Sequence, residues 1–148
     1  MTYEVAGMKR RSLFLTLMLW PAAAFAHSYK AGSIEIGHAW ALPSQQTEGQ
    51  VFFPMLSAGK EADSLVAARS DMASMIELRQ NNRYDDPPLK EMVLAPGKPF
   101  PMRPTAFHLR LMGLSKPLVK GDRFRMVLDF LNAGEVEIEV HVQDKPGE

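Results

Sequence analysis

Val136, Ile138, Val140 and Val142 alternate with Glu137, Glu139 and His141, the period-two pattern of a strand buried on one face. Phe124, Met126, Leu128 and Phe130 form a second such stripe, and Asn132-Ala133-Gly134 between them supplies a turn. The two stripes are therefore expected to pair as a hairpin. Phe107, Leu109 and Leu111 form a third stripe, which leaves His108, Arg110 and Met112 together on the opposite face. Ile34–Ile36, Val51–Leu56, Leu65–Ala68 and Met75–Arg79 read as further strands, with Pro54 marking its strand as an edge or a bulge. Asn81–Pro88, which contains Asp85-Asp86-Pro87-Pro88, reads as a loop. No long stretch has helical periodicity, and there is no internal repeat. The expected architecture is all-β, an antiparallel Greek-key β-sandwich in a single domain.

The N-terminal region follows a different pattern. Lys9, Arg10 and Arg11 precede an apolar run from Leu13 to Trp20, and Ala24-Phe25-Ala26 leads straight into His27. A basic stretch, a short apolar core and an A-x-A site predict a secretory signal over residues 1–26, cleaved after Ala26. The apolar run is shorter than the about 20 residues needed to cross a bilayer. Met8 is an alternative start, and Arg10-Arg11 faintly resembles a twin-arginine signal, although the general secretory type fits better. The expected location is the periplasm of a Gram-negative bacterium. Residues 27–148 then form the mature domain, enough chain for one core but not two. Residues 1–26 hold three of the 17 Lys and Arg and one of the 17 Asp and Glu, so the mature part carries a formal charge of −2. That balance argues against nucleic acid or an anionic lipid surface as a partner. No second apolar segment is long enough to embed the mature form in a membrane.

There is no cysteine, which excludes thiolate metal sites, cysteine nucleophiles and stabilising disulfides. No phosphate-binding glycine loop, nucleophile elbow or H-E-x-x-H helix occurs, and Asp85-Asp86 in its Pro-rich loop is better suited to solvating a turn than to catalysis. The protein is not expected to be an enzyme. Methionine and histidine remain for soft-metal chemistry. His141, between two glutamates, reads as a solvated surface residue. His38, two residues before Trp40, reads as a structural hydrogen-bonding residue ahead of a ligand. His108 shares its strand face with Met112 and lies near the Met102 segment, and imidazole with thioether suits Cu(I). His27, once exposed by cleavage, offers an α-amine and an imidazole that chelate Cu(II), with His38 added if the first strand folds back. The opposing reading of His27 is an incidental, flexible terminus.

Three segments resemble the periplasmic copper chaperones of the PCuAC family. They are Ile34-Glu35-Ile36-Gly37-His38-Ala39-Trp40-Ala41, His108-Leu109-Arg110-Leu111-Met112-Gly113-Leu114 and Lys116-Pro117-Leu118-Val119-Lys120-Gly121-Asp122. The resemblance implies a cupredoxin-like β-sandwich binding Cu(I) through two methionines and two histidines. It also implies copper delivery to the CuA centre of cytochrome c oxidase subunit II, alongside thioredoxin-like assembly proteins. Residue by residue, His108 matches one family histidine, and Met92 is the nearest equivalent of one family methionine. Arg79, in Glu77-Leu78-Arg79, stands where the family has its other histidine, and Arg110 stands where it has its other methionine. Met112 is no simple substitute: along a strand, i and i+2 are roughly 7 Å apart, whereas i and i+4 are roughly 13 Å apart. Guanidinium groups only donate and stay charged, so two of them repel a cation.

The resemblance therefore implies a copper-binding or copper-trafficking protein with a weakened Cu(I) site. Its candidate ligands are His108 and Met92 first, then Met112, with Met102 and Met75 in reserve and His27 for Cu(II). The alternative is a copper-independent binding module that uses a cationic face of Arg79, Arg110 and His108 for an anion or a protein partner. A plainer reading makes Arg79 and Arg110 exposed strand residues paired with Asp85 or Asp86.

Overall fold

The protein is described by a computed structural model over residues 28–147. The signal segment and His27 lie outside the described residues. Eleven strands and no helix occur among them. Strands β1 (Tyr29–Ala31), β2 (Ile34–Ile36) and β5 (Met55–Ser57) form a small antiparallel sheet in the order β1-β2-β5. The other eight are β3 (Ala39–Ala41), β4 (Gly49–Phe52), β6 (Asp63–Arg69), β7 (Ala73–Arg79), β8 (Met92–Leu94), β9 (His108–Leu114), β10 (Arg123–Phe130) and β11 (Gly134–Val142). They form one sheet in the order β7-β9-β4-β3-β11-β10-β6-β8. The all-β, cupredoxin-like expectation holds.

The alternating stripes do what their period requires. Phe124, Met126, Leu128 and Phe130 of β10 and Ile138, Val140 and Val142 of β11 are buried, with Glu137 exposed between them. β10 and β11 pair as the expected hairpin, closing at Phe130 opposite Gly134. Gly134 takes φ +81°, where a side chain would be strained. The Asp63 carboxylate holds the turn by accepting from the backbone N–H groups of Asn132 and Ala133, each at 2.9 Å.

Two expectations change. Pairing is not antiparallel throughout: β3 runs parallel to β11, with Ala39 opposite Val140, Trp40 opposite His141 and Ala41 opposite Val142. The segment Val51–Leu56 is also not one strand. Pro54 has no N–H to give a ladder, and the chain turns a corner at Phe53-Pro54 from the large sheet to the small one. Phe53 N donates to Met102 Sδ at 3.4 Å, and Pro54 O accepts from Gly37 N at 2.9 Å. The side chains of Phe52, Phe53, Leu65, Leu109, Leu111 and Phe130 are almost wholly buried. Each contributes about 1.5–3 kcal/mol by leaving water, the main support of a domain without disulfides.

Two registers place the chemistry. In β7–β9, Arg79 lies opposite His108, Glu77 opposite Arg110 and Met75 opposite Met112. On the far side of β9, Gln50 of β4 lies opposite Arg110. Three strands away from β9 in the same sheet, Tyr29 Oη accepts from Glu139 N at 2.9 Å, which ties β1 over β11 beside His141.

Candidate metal centre

The residues expected to hold Cu(I) gather around His108, but their arrangement is closed. His108 is fully buried. Its Nδ1 lies 2.8 Å from Ala106 O; a carbonyl only accepts, so Nδ1 carries the proton and the lone pair sits on Nε2. Tyr84 Oη lies 3.0 Å from that Nε2 and donates to it. Gln50 Nε2 donates in turn to Tyr84 Oη at 2.9 Å and to Pro104 O at 3.2 Å. The nitrogen that a metal would need is therefore already used. Burial pushes the His108 pKa below its ordinary value of 6.5, the charges of Arg79 and Arg110 push the same way, and the Ala106 bond only partly opposes them. The ring is neutral, and it is sealed.

The two arginines do the sealing. Arg79 is 2% exposed, and its guanidinium donates to the backbone carbonyls of Arg83 at 2.8 Å and Asp86 at 2.9 Å. This clamp holds the loop that carries Tyr84. Arg110 donates to Glu48 Oε1 at 2.7 Å and to Glu77 Oε1 at 3.0 Å, and its guanidinium lies over the Tyr84 ring, 4.0 Å from the centroid. Partial burial works against its charge, but the bonds and charges of Glu48 and Glu77 prevail, and its pKa is raised. A cationic face at Arg79 and Arg110 is therefore not what the geometry holds: one guanidinium is buried on carbonyls and the other is neutralised by two carboxylates. Nor are they exposed partners of Asp85 or Asp86. Asp86 pairs instead with Arg83, at 3.4 Å.

The methionines are dispersed. Met92 is buried in the core on β8, opposite Leu65. Met102 spends its sulfur on Phe53 N. Met112 pairs across the ladder with Met75, which is 56% exposed. No thioether takes a place on the His108 nitrogens, whose partners are Ala106, Tyr84 and Gln50.

A second histidine cluster lies where β3 and β11 run parallel. The rings of His38 and His141 have centroids 5.0 Å apart, tilted by 56°. Two imidazoles on one ion, each nitrogen about 2 Å from it, put their centroids between roughly 4.5 and 6.5 Å apart. The pair fits that range. His141 is not the solvated residue expected from its glutamate neighbours: its side chain is 15% exposed, with Nε2 at ion-pair distance, 3.2 Å, from Glu139 Oε1. A groove of about 260 Å³ lined by Lys120, Arg123, His141 and Gln143 opens beside it. His38 keeps the expected hydrogen-bonding role, its Nε2 lying 2.9 Å from Gln143 Oε1. Among the described residues no three His, Asp or Glu side chains form a metal-binding group, so an ion at this pair needs a further donor. Tyr84, Gln50, Glu48, Glu77 and Gln143 all escaped the sequence reading. Only Glu77 and Gln50 could have been suggested, by alternation on the strands that flank His108.

The family model LpqE-like matches residues 34–142. No curated protein sequence matches the chain. The apo PCuAC domain from PmoF1 superposes with a TM-score of 0.73 at 21% identity, covering 80% of this chain and 100% of that one. The copper-bound PCuAC domain from PmoF2 superposes with a TM-score of 0.72 at 25% identity, covering 80% and 99%. The Cu(I) form of DR1885 from Deinococcus radiodurans reaches a TM-score of 0.52 at 18% identity, covering 82% and 83%, and supports the fold alone.

Proposed function

The chain belongs to the LpqE-like family, and from that premise we propose that it is an extracytoplasmic, non-enzymatic copper-binding protein of PCuAC type. It holds its ion at the His38–His141 pair, not at His108. The observation that carries this is the 5.0 Å approach of the two imidazoles, set against a His108 whose lone pair is already engaged. The PCuAC domain from PmoF2 has a copper-bound form, which supports copper as the cargo.

The missing donor is His27, which lies outside the described residues. The β1–β2 register pairs Tyr29 with Ile36, two residues before His38. Ser28 and Gly37 already line one groove. Cleavage after Ala26 would supply an amine and an imidazole from His27 to complete the set with His38 and His141. Such an all-nitrogen set with no thioether favours Cu(II) over Cu(I). The destination implied by the resemblance is the CuA centre of cytochrome c oxidase subunit II, reached with thioredoxin-like assembly proteins from the periplasm.

The test is Cu(II) titration of protein beginning at His27. Trp40, the only tryptophan after residue 26, stands opposite His141 in the ladder, so its fluorescence should be quenched as the site fills. One glycine added ahead of His27 should weaken binding at least tenfold, and His141→Ala should abolish the quench. A parent protein that takes up no Cu(II), or one whose copper is lost in His108→Ala, would refute the proposal.

A further inference from the structure

We infer that Gln143 is a positioning residue for this copper site: it holds His38 in the tautomer that presents Nδ1, and not Nε2, to a metal. The inference rests on the copper reading above and adds which atom of His38 serves it and what selects that atom.

The chain of hydrogen bonds leaves one assignment. Gln143 Nε2 lies 2.7 Å from Lys145 O. That carbonyl only accepts, so the amide NH2 must face it and the amide oxygen must face the other way, toward His38 Nε2 at 2.9 Å. The amide oxygen also only accepts. His38 Nε2 must therefore carry the proton, and in the neutral ring the lone pair falls on Nδ1. Flipping the amide would set two oxygens against each other at Lys145. Gln143 is 5% exposed, so water offers little relief for that mismatch. Its backbone is fixed too, since Gln143 N donates to Ala41 O at 2.9 Å, just beyond the β3–β11 ladder that sets His38 near His141.

The consequence is chemical as well as geometric. A ligating histidine whose other nitrogen donates to an oxygen acceptor is fixed in orientation and made more basic, and removing such an acceptor typically weakens metal affinity about 10- to 100-fold. His108 shows the opposite selection in the same molecule. Its proton is fixed on Nδ1 by Ala106 O, and the remaining nitrogen, Nε2, is taken by Tyr84.

The experiment reads the tautomer before any metal is added. In copper-free protein beginning at His27, 15N–1H spectra of the imidazoles at about pH 8, where an ordinary histidine is neutral, should show His38 as a single Nε2–H tautomer. Gln143→Leu should convert it to a mixture and weaken Cu(II) binding about 10- to 100-fold, with an altered Cu(II) EPR spectrum. Gln143→Glu keeps an oxygen acceptor facing His38 and should keep the Nε2–H tautomer, while its second oxygen loses the bond to Lys145 O. A His38 that stays Nε2–H in Gln143→Leu, or a mixed tautomer with unchanged affinity and spectrum, would overturn the role of Gln143. A parent that takes up no Cu(II) overturns the copper reading and this role with it. The tautomer, read without copper, tells that failure apart from a failure of Gln143 itself.

Discussion

The two histidine clusters lie in one cross-strand row, separated by Trp40 and Phe52, and from similar parts they arrive at opposite chemistry. At His108, a buried ring is hemmed by Tyr84, Gln50 and two arginines, with hydrogen bonds on both nitrogens and the loop above it clamped by Arg79. At His38 and His141, two rings approach to 5.0 Å beside an open groove, and the Gln143 acceptor on His38 fixes its orientation from behind. The first arrangement satisfies its polar groups internally and so stabilises the fold. The second brings two imidazoles together at the edge of a groove that His141 and Gln143 line.

The sharpest way to break the comparison is to remove one histidine from each cluster. His38→Ala should lower Cu(II) affinity 100-fold or more by losing a ligand, while urea unfolding shifts little because the ring is only half buried. His108→Ala should do the reverse. Copper affinity should be unchanged, and stability should fall by about 2–4 kcal/mol, from a buried cavity and the stranded Tyr84 and Gln50 groups. If both variants lost copper, or both lost stability equally, the two clusters would not be distinct.

Arg79 separates the clusters next. Its guanidinium is buried and makes two charge-assisted bonds to carbonyls. Arg79→Leu should cost about 2–3 kcal/mol and make the 80–88 loop an early site of limited proteolysis, with Cu(II) uptake unaffected. Lysine should rescue only in part, because a single ammonium lacks the planar fork that reaches two carbonyls. Arg110→Met should cost no more than Arg79→Leu, since Glu48 is half exposed and can be solvated, and Glu77 keeps Arg79 at 4.0 Å.

These contrasts mark what was legible in the chain and what was not. The β10–β11 hairpin was legible because its two stripes alternate over seven residues each and flank a Gly-containing turn, all of it local. β1, β3 and β8 have three residues each, too few to show a period. The meeting of His38 and His141 depends on a parallel pairing between segments about a hundred residues apart, which no local pattern announces. Arg79 and Arg110 were visible as misfits at ligand positions, and their hostility to a cation followed from their chemistry alone. Their quieting was hidden. Glu48 comes from 62 positions away, and the groups that satisfy Arg79 are backbone carbonyls, which carry no sequence signal at all.

The smallest expected effect concerns pH. His108 titrates below its ordinary 6.5 in the folded protein because it is buried and faces Arg79 and Arg110. In the unfolded chain it takes up a proton near that ordinary value. Between the two values the unfolded state binds more protons than the native one, so stability falls as pH drops below about 6.5 and is fully present above it. Each pH unit inside that window changes stability by at most about 1.4 kcal/mol. Melting temperature should therefore decline between about pH 7.5 and pH 5.5, and His108→Gln, which keeps a donor and an acceptor but cannot titrate, should flatten that decline. Tyr84→Phe tests the same point from the other side. It removes the bond that holds Nε2 without adding a charge, so the His108 resonance should remain that of a neutral, buried ring. A variant profile parallel to the parent's across the whole range would place the acid sensitivity on other groups, leaving the sealed cluster as packing alone.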